Sequence, residues 1–197
     1  MQAALEPFLQ DIARLCPAMT GEELQRFAQG LYTRKLVPKE RWLTAGGTAD
    51  AMAYVSSGLL KTVLTAETGE QANVNFVREG EFAGDYLAFN AQQPCRFDFH
   101  AIEPCDLVCF GQAHFVQSMR DIPALERYFR IQLERVLAHY VRRTLYFVTA
   151  GARERYQRFS AEYPDLFRRV SVSDLSSYLG IQRQSLTRIR KQLYEGR

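Results

Sequence analysis

The hydrophobic period of this 197-residue chain changes twice, and each period admits one kind of element. Near the start, Leu5, Phe8, Leu9, Ile12 and Leu15 recur at helical spacing. Cys16-Pro17 predicts the end of that helix, and Thr20 with Glu23 three residues on predicts the cap of another. From Leu31 to about Phe115 short runs of β-branched and aromatic residues, several alternating apolar with polar, are separated by Gly, Pro and Asn. Tyr32–Val37, Met52–Val55, Leu59–Leu64, Ala72–Val77, Cys95–Ile102 and Asp106–Phe110 read as strands of an antiparallel sandwich or barrel. From about Ile122 to Ala150 the helical period returns. Strands gathered in one stretch, with helices outside it, predict an α+β fold.

The long helix carries two apolar stripes. Ile122, Leu125, Phe129, Leu133, Val136, Tyr140, Thr144 and Phe147 are spaced close to a heptad. A second stripe runs Leu133, Leu137, Val141, Leu145, Val148. Two stripes imply two buried faces. One suits the β-rich domain; the other suits the same helix of a second chain or a further surface of its own chain. Gly151 predicts the helix end and a hinge. The chain then divides into 1–121, a β-rich domain with N-terminal helices, 122–150, the long helix, and 151–197.

In the last segment, Ser171 followed by Asp174 reads as the cap of a short helix whose apolar side is Leu175, Tyr178 and Leu179. Gly180 suits the left-handed residue that closes it. A second helix from Arg183 places Arg183, Gln184, Thr187, Arg188 and Lys191 within about 140° of one another at 100° per residue. Leu186, Ile189 and Leu193 fall on the other side. This is a helix-turn-helix with one face that packs and one that offers guanidinium, amide, hydroxyl and ammonium groups to a polyanion. Charge agrees. Residues 151–197 hold ten Lys/Arg and five Asp/Glu, a net of +5, while the remainder holds 15 basic and 17 acidic groups, a net of −2.

Other functions find less support. No apolar run approaches the ~20 residues of a membrane span, and the first residues do not resemble a signal peptide, so a cytoplasmic protein with no membrane partner is expected. Cys16, Cys95, Cys105 and Cys109 match no zinc spacing and are expected as thiols packed in the fold. There is no Walker loop, nucleophile elbow or metal pair. Asp98 and His100, two apart on an alternating strand, form the kind of pair that arises by chance, so no enzyme, catalytic residue or metal ligand is expected.

Several segments resemble the Crp/Fnr family of bacterial transcription regulators, over nearly the whole length. Lys39-Glu-Arg-Trp-Leu, Gly46-Gly47 and Tyr54-Val-Ser-Ser-Gly58 resemble the opening of a cyclic-nucleotide-binding β-roll. Gly80-Glu-Phe-Ala-Gly84-Asp85 followed by Pro94-Cys-Arg96 resembles its phosphate-binding cassette. Arg153-Glu-Arg155-Tyr-Gln-Arg-Phe and Tyr163-Pro-Asp-Leu resemble the entry to the DNA-binding domain, and Leu179-Gly180-Ile-Gln-Arg183-Gln-Ser-Leu-Thr-Arg188-Ile its recognition segment. The resemblance implies an α+β chain: an N-terminal antiparallel β-roll (a jelly-roll-like double-stranded β-helix), a long dimerisation helix and a C-terminal winged-helix-type helix-turn-helix. It implies a homodimer on palindromic double-stranded DNA, with RNA polymerase and a small-molecule effector as further partners. Arg183, Gln184 and Arg188 fall where the family reads base edges, and Ser185 and Lys191 are expected on phosphates. Many members have Glu where Gln184 stands. Gln suits adenine, so a half-site altered at that base pair is expected. Arg120, Arg142 and Arg143 suit either DNA or a partner subunit.

For the effector the resemblance implies Gly84, Asp85 and Arg96 around a cyclic nucleotide, cAMP or cGMP. However, Phe97 stands where a Ser or Thr would donate to the phosphate, and the carboxylate of Asp85 is one methylene shorter than Glu. Tyr140-Val141 stand where Ser or Thr would face the base. These departures favour a different small molecule, a direct Asp85–Arg96 pair, or no ligand. Haem would need an axial ligand from His100, His114 or His139, and an iron–sulfur cluster more N-terminal cysteines than Cys16. The alternative function is a small-molecule or protein-binding signalling module that does not read DNA, and salt-dependent DNA affinity separates the two.

Overall fold

The computed structural model describes residues 2–195. Two compact units result, one running to Glu134 and the other starting at Arg135, with Ala72–Val74 counted in the second.

The first unit opens with α1 (Gln2–Leu15) and α2 (Gly21–Ala28). Thr20 caps α2 through a reciprocal pair: its hydroxyl accepts the Glu23 N–H at 3.2 Å, and the Glu23 carboxylate accepts the Thr20 N–H at 2.8 Å. The strands are β1 (Tyr32–Leu36), β2 (Arg41–Leu43), β3 (Ala51–Ser57), β4 (Leu60–Thr65), β5 (Gln71–Val77), β6 (Phe82–Ala83), β7 (Asp98–Ala101) and β8 (Cys105–Gly111). They form two four-stranded sheets, ordered β1-β8-β3-β6 and β2-β7-β4-β5. Tyr32 faces Cys109 and Ala53 faces Cys109 from the other side, so β8 is the central antiparallel partner of its sheet. This is the expected antiparallel roll.

Two strands and two helices in this region are absent from the sequence reading. β2 and β6 are too short to show alternation. α3 (Tyr86–Ala91) lies inside the stretch read as β-rich, and α4 (Gln112–Asp121) straddles its end. One turn and a half gives α3 no measurable period, and α4 follows β8 without a proline break.

Two apolar clusters hold this unit. An aromatic one joins α1, α2, α4 and the start of α5 (Pro123–Thr149) to the roll through Phe8, Phe27, Tyr54, Phe110, Phe115, Tyr128 and Phe129. Phe8 stacks on Tyr54 with centroids 4.6 Å apart, and the Tyr128 hydroxyl donates to Asp11 at 2.8 Å. The other lies between the sheets, around Leu36, Val55, Leu60, Phe99 and Leu107. All four cysteines are buried free thiols, and burial pushes the Cys109 thiol up to about 12. His114 stacks on Phe27 at 5.4 Å and places Nε2 2.8 Å from the Phe27 carbonyl.

The second unit contains the later half of α5, then α6 (Ala152–Glu162), α7 (Pro164–Arg169), α8 (Val172–Leu179) and α9 (Arg183–Glu195). Tyr156, Phe159, Leu166, Leu175, Tyr178, Leu179, Leu186 and Ile189 are its buried side chains. One feature of the expected winged-helix type is corrected here. Residues 151–195 are helical with short links and form no strand. Only Tyr163 separates α6 from α7, and only Val170 and Ser171 separate α7 from α8, too little chain for a hairpin wing. Among the described residues no helix is long and apolar enough to cross a membrane.

Candidate functional site

The helix pair is set by its two ends. Ser171 Oγ accepts the Asp174 N–H at 3.0 Å and donates to the Asp174 carboxylate at 2.7 Å, so the start of α8 is capped as its sequence predicts. At the other end Gly180 sits at φ 60° and ψ 41°. The Gly180 N–H donates to the Ser177 carbonyl at 3.1 Å and the Ile181 N–H to Ser176 at 2.9 Å, the paired closure that a left-handed residue permits. The chain therefore turns sharply, and α9 begins at Arg183.

On α9, Leu186 and Ile189 are buried. Arg183, Gln184, Thr187, Arg188 and Lys191 are exposed, and Ser185 is half-buried. The predicted division of the helix is what the structure has. Thr187 spends its hydroxyl proton on the Arg183 carbonyl at 3.0 Å, which leaves its methyl and lone pairs outward. Arg190 lies off this face, its guanidinium 5.7 Å from the centre of the Phe167 ring.

In the roll, Gly84, Asp85 and Arg96 come together. Asp85 is 2% exposed and caps α3, accepting the Ala88 N–H at 3.3 Å. Arg96 grips the same carboxylate with a fork, Nε to Oδ2 at 2.8 Å and Nη2 to Oδ1 at 2.7 Å, and its backbone N–H adds a bond at 3.0 Å. Burial raises the Asp85 pKa, but the bonds from Arg96 outweigh it and hold the carboxyl below its ordinary value. The Arg96 guanidinium also lies 5.2 Å from the Phe97 ring centre. Gly84 has φ 134°, a conformation that L side chains rarely adopt, so the backbone itself favours glycine there.

The later half of α5 exposes its second stripe. Leu133, Leu137, Val141, Leu145 and Val148 are all exposed, from 39% at Leu133 to 80% at Val148. Arg143 and Arg155, in contrast, turn inward. Arg143 donates to the Tyr178 carbonyl at 3.0 Å, and Arg155 to the Ala150 and Gly180 carbonyls at 2.9 and 3.3 Å. Arg142 pairs with Glu162 at 3.2 Å. The link at Gly151 is thus braced by Arg155. Sequence reading gave Arg155 no separate role, and its stacking on Phe147, eight residues away across Gly151, left no local signal.

Residues 33–121 match the family model of the cyclic nucleotide-binding domain. Solved structures match along most of the chain. The c-di-GMP-responsive global regulator CLP of Xanthomonas campestris is 18% identical, over 90% of this chain and 93% of its own, with a TM-score of 0.75. FixK2 of Bradyrhizobium japonicum is 16% identical, over 84% and 85%, with a TM-score of 0.73. The fold is that of the Crp/Fnr regulators. The catabolite activator protein of Thermus thermophilus shares this Crp/Fnr fold at 16% identity, over 92% and 87%, with a TM-score of 0.55. No curated protein gives a significant match.

Proposed function

We propose that the protein is a homodimeric, sequence-specific DNA-binding transcription regulator. Residues 1–121 serve as the sensor, 122–150 pair two chains, and 151–197 read DNA. The observation that carries this reading is α9, whose Leu186 and Ile189 are buried while Arg183, Gln184, Thr187, Arg188 and Lys191 face outward. Arg183 and Arg188 suit guanine, Gln184 suits adenine, and Ser185 and Lys191 suit phosphates. The exposed stripe Leu133, Leu137, Val141, Leu145 and Val148 supports pairing with a second copy.

The test is selection of binding sites from random duplexes, followed by fluorescence anisotropy on the selected operator. A two-fold symmetric site with half-sites about 34 Å apart is expected. Arg183→Ala should lose about 1–3 kcal/mol of discrimination at one base pair per half-site. An operator-to-random ratio equal to the parent's would remove Arg183 from base reading. Absence of any DNA binding at low salt would leave a module that meets protein or small molecules instead.

In the roll, the grip of Arg96 on the buried Asp85, together with Phe97, supports a site that does not take the phosphate of a cyclic nucleotide. Titration with cAMP in a calorimeter should give no saturable heat. Saturation would restore Gly84, Asp85 and Arg96 as an effector site.

A further inference from the structure

Within the second unit, the later half of α5, α6 and α8 line a half-open cleft whose enclosed volume is about 40 Å³. Its walls carry Arg142, Arg143 and Arg155 among aromatic rings that include Tyr146, Phe147 and Tyr178. Glu162 is the one carboxylate in that lining, and it is paired with Arg142 at 3.2 Å. The charge of the lining is therefore three guanidiniums against one carboxylate, a net of +2 before His139 is counted.

The two remaining cations are held by groups that do not neutralise them. The Arg143 guanidinium lies between the Phe147 and Tyr178 rings, 4.7 and 4.6 Å from their centres. That of Arg155 lies 5.1 Å from Phe147. Their hydrogen bonds go to the carbonyls of Tyr178, Ala150 and Gly180. The Nε of each is buried and, among the described residues, meets no acceptor. Cations partly withdrawn from water without a counter-charge carry a cost, and ring faces offset only part of it. An anion in the cleft supplies the missing charge and accepts Nη N–H groups as a charge-assisted fork. The aromatic walls favour an anion with a flat apolar body, its ring lying against them at the open side of the cleft.

We infer that this cleft is a binding site for a small aromatic carboxylate, its carboxylate on Arg143 and Arg155 and its ring against Tyr146 and Phe147. The site lies on the same helices that anchor the Gly180 turn. Its binding is measured without DNA and stands apart from the regulatory reading.

The probe is benzoate, titrated into the full chain by NMR, with benzyl alcohol as the uncharged analogue and acetate as the ringless one. One saturable site per chain is expected, with both analogues at least tenfold weaker. Arg143→Lys keeps the charge but loses the fork and the stack, and should weaken benzoate at least tenfold at unchanged helix content. Arg155→Lys serves if Arg143→Lys does not fold. The proposal is overturned if benzoate fails to saturate, binds no better than either analogue, or binds the folded lysine variant as it binds the parent.

Discussion

At Gly180 the backbone lies at φ 60°, where an L side chain costs about 1–2 kcal/mol. A Cβ there would also stand 2.7 Å from Phe147 Cε1. Gly180→Ala should therefore lower stability by at least that backbone cost, read as an earlier urea midpoint. Gly151 differs. It begins α6 at φ −71° and ψ 167° with open space around a Cβ, and α6 has no side-chain cap. Gly151→Ser should raise stability by about 0.5–1 kcal/mol, through a capping bond and a stiffer unfolded chain. If that variant melts earlier, the position needs glycine for a reason other than its conformation. Asp85 adds a pH dependence. Its folded pKa lies below the unfolded value of about 3.9, so its contribution is present above about pH 4 and lost as pH falls through the folded value. Parent and Asp85→Asn should thus differ in urea stability at neutral pH and converge in acid.

A helix with one face against its own chain leaves the other to be explained, and α5 changes character along its length. Leu125, Tyr128 and Phe129 are buried, while Leu137, Val141, Leu145 and Val148 stand exposed on one stripe. Water around that many adjacent aliphatic groups favours association, and heptad-like spacing suits a parallel copy of the same helix. Leu137→Lys with Val141→Glu should convert a dimer to a monomer in sedimentation while circular dichroism stays unchanged, because neither side chain belongs to the buried set. A dimer that survives both changes would place the contact elsewhere. The two stripes were legible in the periodicity. How far each is covered was not: Val136, Tyr140 and Phe147 of the first stripe are exposed as well. The short elements α3, α4, β2 and β6 left no periodic signal and took shape only from their neighbours.

At the scale of the whole molecule, the charge excess of residues 151–197 bears on the proposed binding to DNA. Affinity for DNA should fall linearly on logarithmic axes with salt, by about 0.9 per phosphate neutralised. Lys191→Ala should flatten that slope by about one unit per half-site and weaken all sequences alike, whereas Arg183→Ala should act on one base pair. Equal effects of Lys191→Ala on slope and on sequence preference would contradict its assignment to phosphate.

Local chemistry sufficed for α8, the turn at Gly180 and α9. Ser171, Asp174, Gly180 and the spacing of Leu186 and Ile189 act through bonds and faces within a few residues, so a linear reading reaches them. The α+β division and the antiparallel roll followed from period for the same reason. Tertiary structure alone decided that Asp85 is sealed beneath Arg96, and that Arg143 and Arg155 stack inward on Phe147 and Tyr178. A long charged side chain can reach water, a carboxylate or a ring face with little difference in free energy. Its choice is therefore set by what the rest of the chain brings within reach.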